Sequence, residues 1–186
     1  MQLDATEVRD RELPHSRFRV FDLAAPESVT IGIRRTHMER MLATPADAEI
    51  ILKLYELRTE SLMRQARAWM AGEFWPNTPE EFFAVVHNPA DPHNAYFRQV
   101  TSYWEMAAAM VLHGAVSADL FVDCNGEGFF ILAKFAHILE PIREKMPHFM
   151  NKTSEMVNRF SAAAARYEIA LKNVEGRRRA LQQSKE

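Results

Sequence analysis

Apolar residues recur at helical spacing through most of the chain after residue 44. The first stripe follows helical spacing loosely through Ile50, Leu54, Leu57, Leu62 and Trp69, and its segment continues to about Phe74. Thr44 stands before Pro45 at the start of this segment. That pair is typical of a helix N-terminus. The Thr side chain accepts a hydrogen bond from a backbone N–H of the first turn, and Pro has no backbone N–H that would need an acceptor there. These patterns predict a helix from residue 44 to about residue 74.

Similar capping residues predict the N-termini of further helices. Thr78 and Asp91 each stand directly before a proline, and Ser117 precedes a short segment that carries an acid in its first turn. Glu81 lies three residues after Thr78 and is expected to complete a capping box. Gly114 is expected to end the preceding helix in the left-handed conformation that glycine adopts without strain.

The helix predicted over about residues 93–113 is the most apolar of the chain. Between residues 103 and 112 nearly every position is apolar, and Glu105 is the only charge. A helix that is apolar on all sides is buried on all sides, so this segment should be the central helix. Trp104 and Met110 are therefore expected in the core.

The last helix is predicted to start near Asn151 or Thr153 and to continue past Leu181. A helix of about 30 residues spans ~45 Å, so part of it is expected to project beyond the body. Its apolar residues alternate at spacings of three and four, as in a coiled coil, and we call them the C-terminal seam. Such a seam predicts an intermolecular contact, with the candidate interface residues Val157, Phe160, Tyr167, Leu171 and Val174.

Residues 1–43 carry only weak signals. Val29, Ile31 and Ile33 alternate with small or polar residues, which is a faint strand pattern. The favoured interpretation is an irregular arm that packs partly on the helices. The predicted fold is therefore all-α, a single irregular helical bundle over residues 44–186, with a long C-terminal helix and an N-terminal arm over residues 1–43.

Composition narrows the class of protein. The 186 residues are 47% hydrophobic and 26% charged, which is too apolar for a disordered chain and suits one domain. No apolar run approaches the ~20 residues that a membrane helix needs, so no membrane insertion is expected. A single cysteine, Cys124, fits a reducing compartment, and a cytoplasmic location is expected.

Candidate chemistry is sparse. The chain has no phosphate-binding loop, nucleophile elbow or zinc-protease motif. A carboxylate–histidine metal site inside the bundle is one hypothesis, with Glu105, His113, His137 and Glu140 as ligands. The alternative is that Glu105 pairs with an Arg or caps an N–H group, while His137, Glu140 and Glu144 lie on a solvated face. No cofactor is predicted.

Two other features have both a functional and a structural interpretation. Cys124 precedes a predicted helix, yet a lone cysteine is more often a small apolar side chain than a nucleophile.

Residues 143–186 hold 10 Lys and Arg against 5 Asp and Glu, and they include the run Arg177-Arg178-Arg179. This basic end predicts either contact with nucleic acid or a solvated helix end that complements the helix dipole. Few aromatic residues flank the run, so the solvated interpretation is favoured and nucleic acid is an improbable partner.

The stretch over residues 96–142 resembles an uncharacterised bacterial family of helical domains of unknown function. In that family an aromatic helix with one Glu is followed by a Gly, a small turn, an acidic–Leu pair and a second aromatic helix. The matching residues are Tyr103, Trp104, Glu105, Gly114, Val116, Ser117, Asp119 and Leu120. The resemblance implies an all-helical fold and assigns no activity.

The function predicted from these observations is a non-enzymatic helical interaction or oligomerisation module, expected as a homo-oligomer and most simply a homodimer. A second protein partner is an additional expectation. The alternatives are a helical-bundle metal-binding protein or enzyme that uses the four candidate ligands, and a nucleic-acid-associated regulator that acts through the basic C-terminal end.

Overall fold

The computed structural model describes residues 42–183, so the sequence patterns of the arm up to residue 41 lie outside the described residues. All regular secondary structure in that range is helical, which confirms the all-α prediction there. The helices are α1 (Pro45–Thr59), α2 (Ser61–Gly72), α3 (Pro79–Val86), α4 (Pro92–Leu112), α5 (Ala118–Cys124), α6 (Glu127–Phe135), α7 (Leu139–Lys145), α8 (Asn151–Arg159) and α9 (Ser161–Gln183), with a 3₁₀ turn at Ala136–Ile138 between α6 and α7.

Helix α4 lies at the centre of the described bundle. It packs most closely against α2 and α8 and also contacts α3, α5 and α6. Trp104 is 2% exposed, which confirms its predicted place in the core. Met110 is only half-buried and Met106 is 42% exposed. The prediction that α4 is buried on all sides is therefore wrong for the face that carries these two methionines. The apolar residues of α4 thus occupy more of its surface than the neighbouring helices cover.

Packed phenylalanine rings fill one half of the core. The ring of Phe82 in α3 lies 5.3 Å from the ring of Phe97 in α4, centroid to centroid, and 5.4 Å from those of Phe135 and Phe149. The contacts are edge-on, the arrangement that aromatic quadrupoles favour. Short helix α3 is held in place mainly because Phe82 is fully buried among these rings.

The predicted N-terminal caps are confirmed. The side chains of Thr44, Thr78, Asp91 and Ser117 each accept a hydrogen bond from a backbone N–H in the first turn of the helix that follows. Thr44 and Asp47 form a full capping box. At α3 the predicted capping box is wrong in one detail. The Glu81 carboxylate accepts from the N–H of Asn77, one residue before the cap, instead of from the N–H of Thr78 itself.

Two predicted helices are each divided in two. The backbone of Glu60 is extended (φ −57°, ψ 147°) and separates α1 from α2, and that of Phe160 is extended (φ −119°, ψ 121°) and separates α8 from α9. A straight helix over residues 45–72 would be ~42 Å long, longer than the ~32 Å of α4 against which it packs. Each break allows the chain to change direction and to bury apolar faces that a straight helix would carry into solvent.

Two glycines give a matched test of backbone conformation. Gly114 has φ +73° after the end of α4, as predicted, whereas Gly176 lies inside α9, and a Cβ at either position would meet nothing within 4 Å. We expect Gly114→Ala to lower the free energy of unfolding by about 1 kcal/mol, because φ above zero strains every residue with a Cβ. Gly176→Ala should raise it by about 0.5–1 kcal/mol through better helix propensity. Urea denaturation of both variants measures this, and two changes of equal sign would contradict it.

Candidate functional site

The four residues predicted as metal ligands lie on different parts of the bundle. Glu105 is in the middle of α4 and His113 caps the end of that helix, whereas His137 is in the 3₁₀ turn and Glu140 is in α7. Glu105 is half-buried, and the other three are exposed. Within residues 42–183 no three His, Cys, Asp or Glu side chains form a group that could hold a metal ion.

The carboxylate of Glu105 caps the N-terminus of α8. Its Oε2 accepts from the N–H of Lys152 (2.9 Å), and its Oε1 accepts from the N–H (2.9 Å) and the hydroxyl (2.8 Å) of Thr153. A negative charge at this position also complements the positive end of the α8 dipole. This geometry agrees with the alternative in which Glu105 caps an N–H group, and it connects the central helix to a helix 47 residues later in the chain.

Glu105 replaces a local cap that α8 lacks. Met150 occupies the N-cap position without a side-chain hydrogen bond, and its backbone is left-handed (φ 53°). Such a conformation is strained for a residue with a Cβ, so surrounding contacts must hold it. The Met150 side chain is 1% exposed, and its carbonyl accepts from the N–H and hydroxyl of Ser154 and from the guanidinium of Arg143.

An open groove of about 720 Å³ lies beside this junction. Its apolar wall comes from core residues such as Phe97 and Phe149, whereas Arg98 and His148 are exposed cationic or titratable groups among its lining. Glu105 lines the same groove, but its oxygen atoms already accept the hydrogen bonds at α8. The groove therefore offers apolar contact and the Arg98 guanidinium rather than a free carboxylate.

The C-terminal seam packs against the core of its own chain. Val174 is 3% exposed and belongs to the core, and the other predicted interface residues are half-buried and lie against it, namely Val157, Phe160, Tyr167 and Leu171. Helix α9 packs along α6 and α8. The prediction of a projecting, continuous last helix is wrong, because the extended backbone at Phe160 folds α9 back onto the body.

The basic C-terminal end makes specific contacts within the chain. The Arg178 guanidinium donates to Asn77 Oδ1 (3.2 Å) and to the carbonyl oxygens of Pro76 (3.1 Å) and Lys134 (2.9 Å). It also lies 5.5 Å from the centroid of the Trp75 ring. The middle arginine of the run is thus fixed against the α2–α3 loop and the end of α6, while Arg177 and Arg179 on either side are exposed.

Sequence reasoning missed Lys134, which is fully buried in α6. Its ammonium donates a hydrogen bond to the Met70 carbonyl in the last turn of α2 and lies 4.0 Å from the Trp75 ring centroid. Burial, and then the charges of Arg178 and Arg177, lower the pKa of Lys134 from its ordinary value to about 7. The signal was a single Lys inside the apolar run Phe129–Phe135, which gives it no solvated side.

His137 and Cys124 show no catalytic arrangement. Burial and the charge of Arg178 lower the pKa of His137, whereas hydrogen bonds to the backbone of Pro76 and Asn77 oppose that shift. These contacts fasten the 3₁₀ turn to the α2–α3 loop. Cys124 is an exposed thiol at the last residue of α5.

Exposed apolar side chains concentrate near the start of the described chain. Six large apolar residues are exposed within residues 42–183, and four of them lie between residues 42 and 62: Leu42, Leu52, Tyr55 and Leu62. Helix α1 contributes only Leu54 to the buried core. No helix in the described part of the chain is long and apolar enough to cross a membrane.

Comparisons with known proteins place this domain in one family. Neither the curated proteins nor the solved structures gave a match. The family model described as "Domain of unknown function (DUF4760)" matches residues 43–160, from the start of α1 to the break between α8 and α9. That span holds α4, Glu105 and the α8 cap, and it covers well over half of the chain. The chain belongs to the DUF4760 family of domains of unknown function.

Proposed function

We propose that this protein is a non-enzymatic helical interaction module that binds a second copy of itself through the outer face of α1. The observation that carries the proposal is the exposed apolar surface of that helix. Ala48, Leu52, Tyr55 and Thr59 follow one another at steps of four, three and four residues, and all four are exposed. Leu52 and Tyr55 are 67% and 56% exposed. Clustered apolar exposure of this kind is a common property of association surfaces.

Charge positions favour a second copy over an unrelated partner. In an antiparallel pair of α1 helices centred between Leu52 and Tyr55, each Leu52 faces the Tyr55 of the other copy. The same two-fold arrangement brings Glu49 of each copy opposite Arg58 of the other, and every contact occurs twice. The Arg58 guanidinium already lies 4.9 Å from the Tyr55 ring centroid, at the edge of this surface. The surface is thus complementary to itself in both apolar and charged positions.

The test is the molar mass of the full chain in solution, measured by sedimentation velocity and by light scattering over a range of concentrations. We expect a wild-type dimer, and a folded monomer for Leu52→Glu with Tyr55→Glu. Loss of such central apolar residues should weaken association by about 2 kcal/mol or more, roughly thirtyfold in Kd. Ile169→Glu is the matched control, because Ile169 is 53% exposed on α9, outside α1, and should leave the dimer intact.

A charge exchange tests the pairing itself. Glu49→Arg alone and Arg58→Glu alone should each weaken the dimer, and the two together should restore it. A wild type that remains monomeric at high micromolar concentration contradicts the proposal. If Tyr167→Glu with Leu171→Glu gives a folded monomer while the α1 variants remain dimeric, the C-terminal seam is the interface instead.

The chemistry of the single cysteine supports a cytoplasmic location as part of this proposal. Cys124 is exposed, and the chain offers it no second cysteine with which to form an intramolecular disulfide. An exposed unpaired thiol suits a reducing compartment. Cell fractionation with an antibody against the native protein tests the location independently of the dimer.

A further inference from the structure

A small cavity between α4, α5, α6 and α8 is lined by a residue with an unpaired hydrogen-bond donor. Trp104 is 2% exposed, and within the described chain its indole Nε1–H has no hydrogen-bond partner. A buried donor without an acceptor is disfavoured, so native proteins pair almost all of them with protein or with ordered water. Trp104 lines a cavity of about 10 Å³, and this cavity is also lined by the polar side chains of Asn125 and Thr153.

The two polar neighbours present acceptors. The Asn125 side chain is 3% exposed, and its Nδ2 donates to the Phe121 carbonyl (3.1 Å), which fixes the amide orientation and leaves Oδ1 as the acceptor. The Thr153 hydroxyl donates its single proton to Glu105 Oε1 (2.8 Å), so its oxygen atom keeps lone pairs available. The residues that line the cavity therefore include one with an unpaired donor, Trp104, and two with available acceptors, Asn125 and Thr153.

We propose that this cavity is a binding site for one buried water molecule that bridges Trp104, Asn125 and Thr153. The water oxygen accepts from the Trp104 Nε1–H, and its two protons are donated to Asn125 Oδ1 and Thr153 Oγ1. Three hydrogen bonds are the usual number for a buried water, and the cavity volume is about that of one water-sized probe. The remaining walls are apolar, with Phe129 and Met156 among them, so a larger polar ligand is excluded by both size and chemistry.

The bound water extends the hydrogen bonds that join the central helix to α8. Through Thr153 it connects the indole of Trp104 to the carboxylate of its neighbour Glu105, which caps α8. Through Asn125 it reaches the junction between α5 and α6. One water molecule thus adds a link among α4, α8 and the α5–α6 junction to the hydrogen bonds that Glu105 already makes with α8.

Nuclear magnetic resonance of the full-length, ¹⁵N-labelled protein tests the proposal without any substitution. The indole proton of Trp104 should show a nuclear Overhauser cross-peak to the water resonance with the sign of a long-lived contact, and a rotating-frame cross-peak of opposite sign. Trp104→Phe assigns the indole signal by its disappearance. A crystal structure of the wild type should show one density peak within hydrogen-bond distance of Nε1.

The matched variants are Thr153→Ser, which keeps the hydroxyl, and Thr153→Val, which replaces it with a methyl group of similar size. We expect the water cross-peak to persist in Thr153→Ser and to be lost or strongly reduced in Thr153→Val. Unchanged intensity in Thr153→Val would overturn the role of Thr153 as a third partner. A wild type with no water cross-peak, or a crystal structure in which Nε1 binds a protein acceptor, would overturn the site itself.

Discussion

Replacement of Glu105 by Ala is expected to lower the free energy of unfolding by about 2–4 kcal/mol. The carboxylate accepts three hydrogen bonds at the N-terminus of α8, and hydrogen bonds to a charged group contribute ~1.5–3 kcal/mol each when buried. Because Glu105 is only half-buried, water can replace part of the lost hydrogen bonding, and the expected loss is smaller than the sum of three such contributions. Among residues 42–183 no other side chain is seen to cap α8, so the first turn of the helix has no substitute there.

The experiment is urea denaturation at neutral pH, with Glu155→Ala as the matched control. Glu155 is also an acid, in the middle of α8, but its ion pair with Lys152 is exposed on both sides and should contribute under about 0.5 kcal/mol. Glu105→Gln should fall between the wild type and Glu105→Ala, because an amide oxygen accepts but carries no charge. Equal losses for Glu105→Ala and Glu155→Ala would show that the cap contributes no more than a surface charge.

Lys134 should make stability depend on pH above neutrality. Its folded pKa of about 7 lies below the ordinary lysine value of 10.5, which applies to the unfolded chain. Between those two values the unfolded state binds more protons, so the free energy of unfolding rises as pH rises. The slope approaches 1.36 kcal/mol per pH unit, which gives an increase of about 2 kcal/mol between pH 7 and pH 9.

The groups that face Lys134 do not produce the same effect in this range. The Arg178 guanidinium keeps its charge over this range, and burial lowers the pKa of His137 below its ordinary value, so the titration of His137 lies below this range. Lys134→Met should therefore abolish the slope, while Lys172→Met, at an exposed position of α9, should retain it. Denaturation of the three proteins at pH 7, 8 and 9 measures the difference. A flat wild-type profile would place the Lys134 ammonium in a solvated environment.

Local signals in the sequence were sufficient to predict most helix starts and the position of the central helix. Thr44, Thr78, Asp91 and Ser117 were identified because a capping side chain acts within its own first turn. The breaks at Glu60 and Phe160 were missed because neither position carries Gly or Pro. Their extended conformations depend on which apolar faces meet the body, and this information lies in distant parts of the chain.

The site could be predicted only in part for the same reason. Sequence alone left Glu105 between a metal ligand, an ion-pair partner and a cap, because its hydrogen-bond donors lie on α8, far away in sequence. Lys134 was overlooked since a long side chain usually reaches solvent, and its burial follows from α9 and the α2–α3 loop closing over α6. The C-terminal seam was recognised by its spacing, but the sequence did not show that its residues pack against the core of their own chain.

The left-handed backbone of Met150 has a consequence for the order of folding. Helix α8 has nine residues, no side-chain cap of its own and a strained residue before its first turn. An isolated helix of this length is unstable in water, and these features make it weaker still. Its first turn is completed only when Glu105 arrives from a helix 47 residues earlier. We therefore expect α8 to form only once α4 is in place, rather than to nucleate folding.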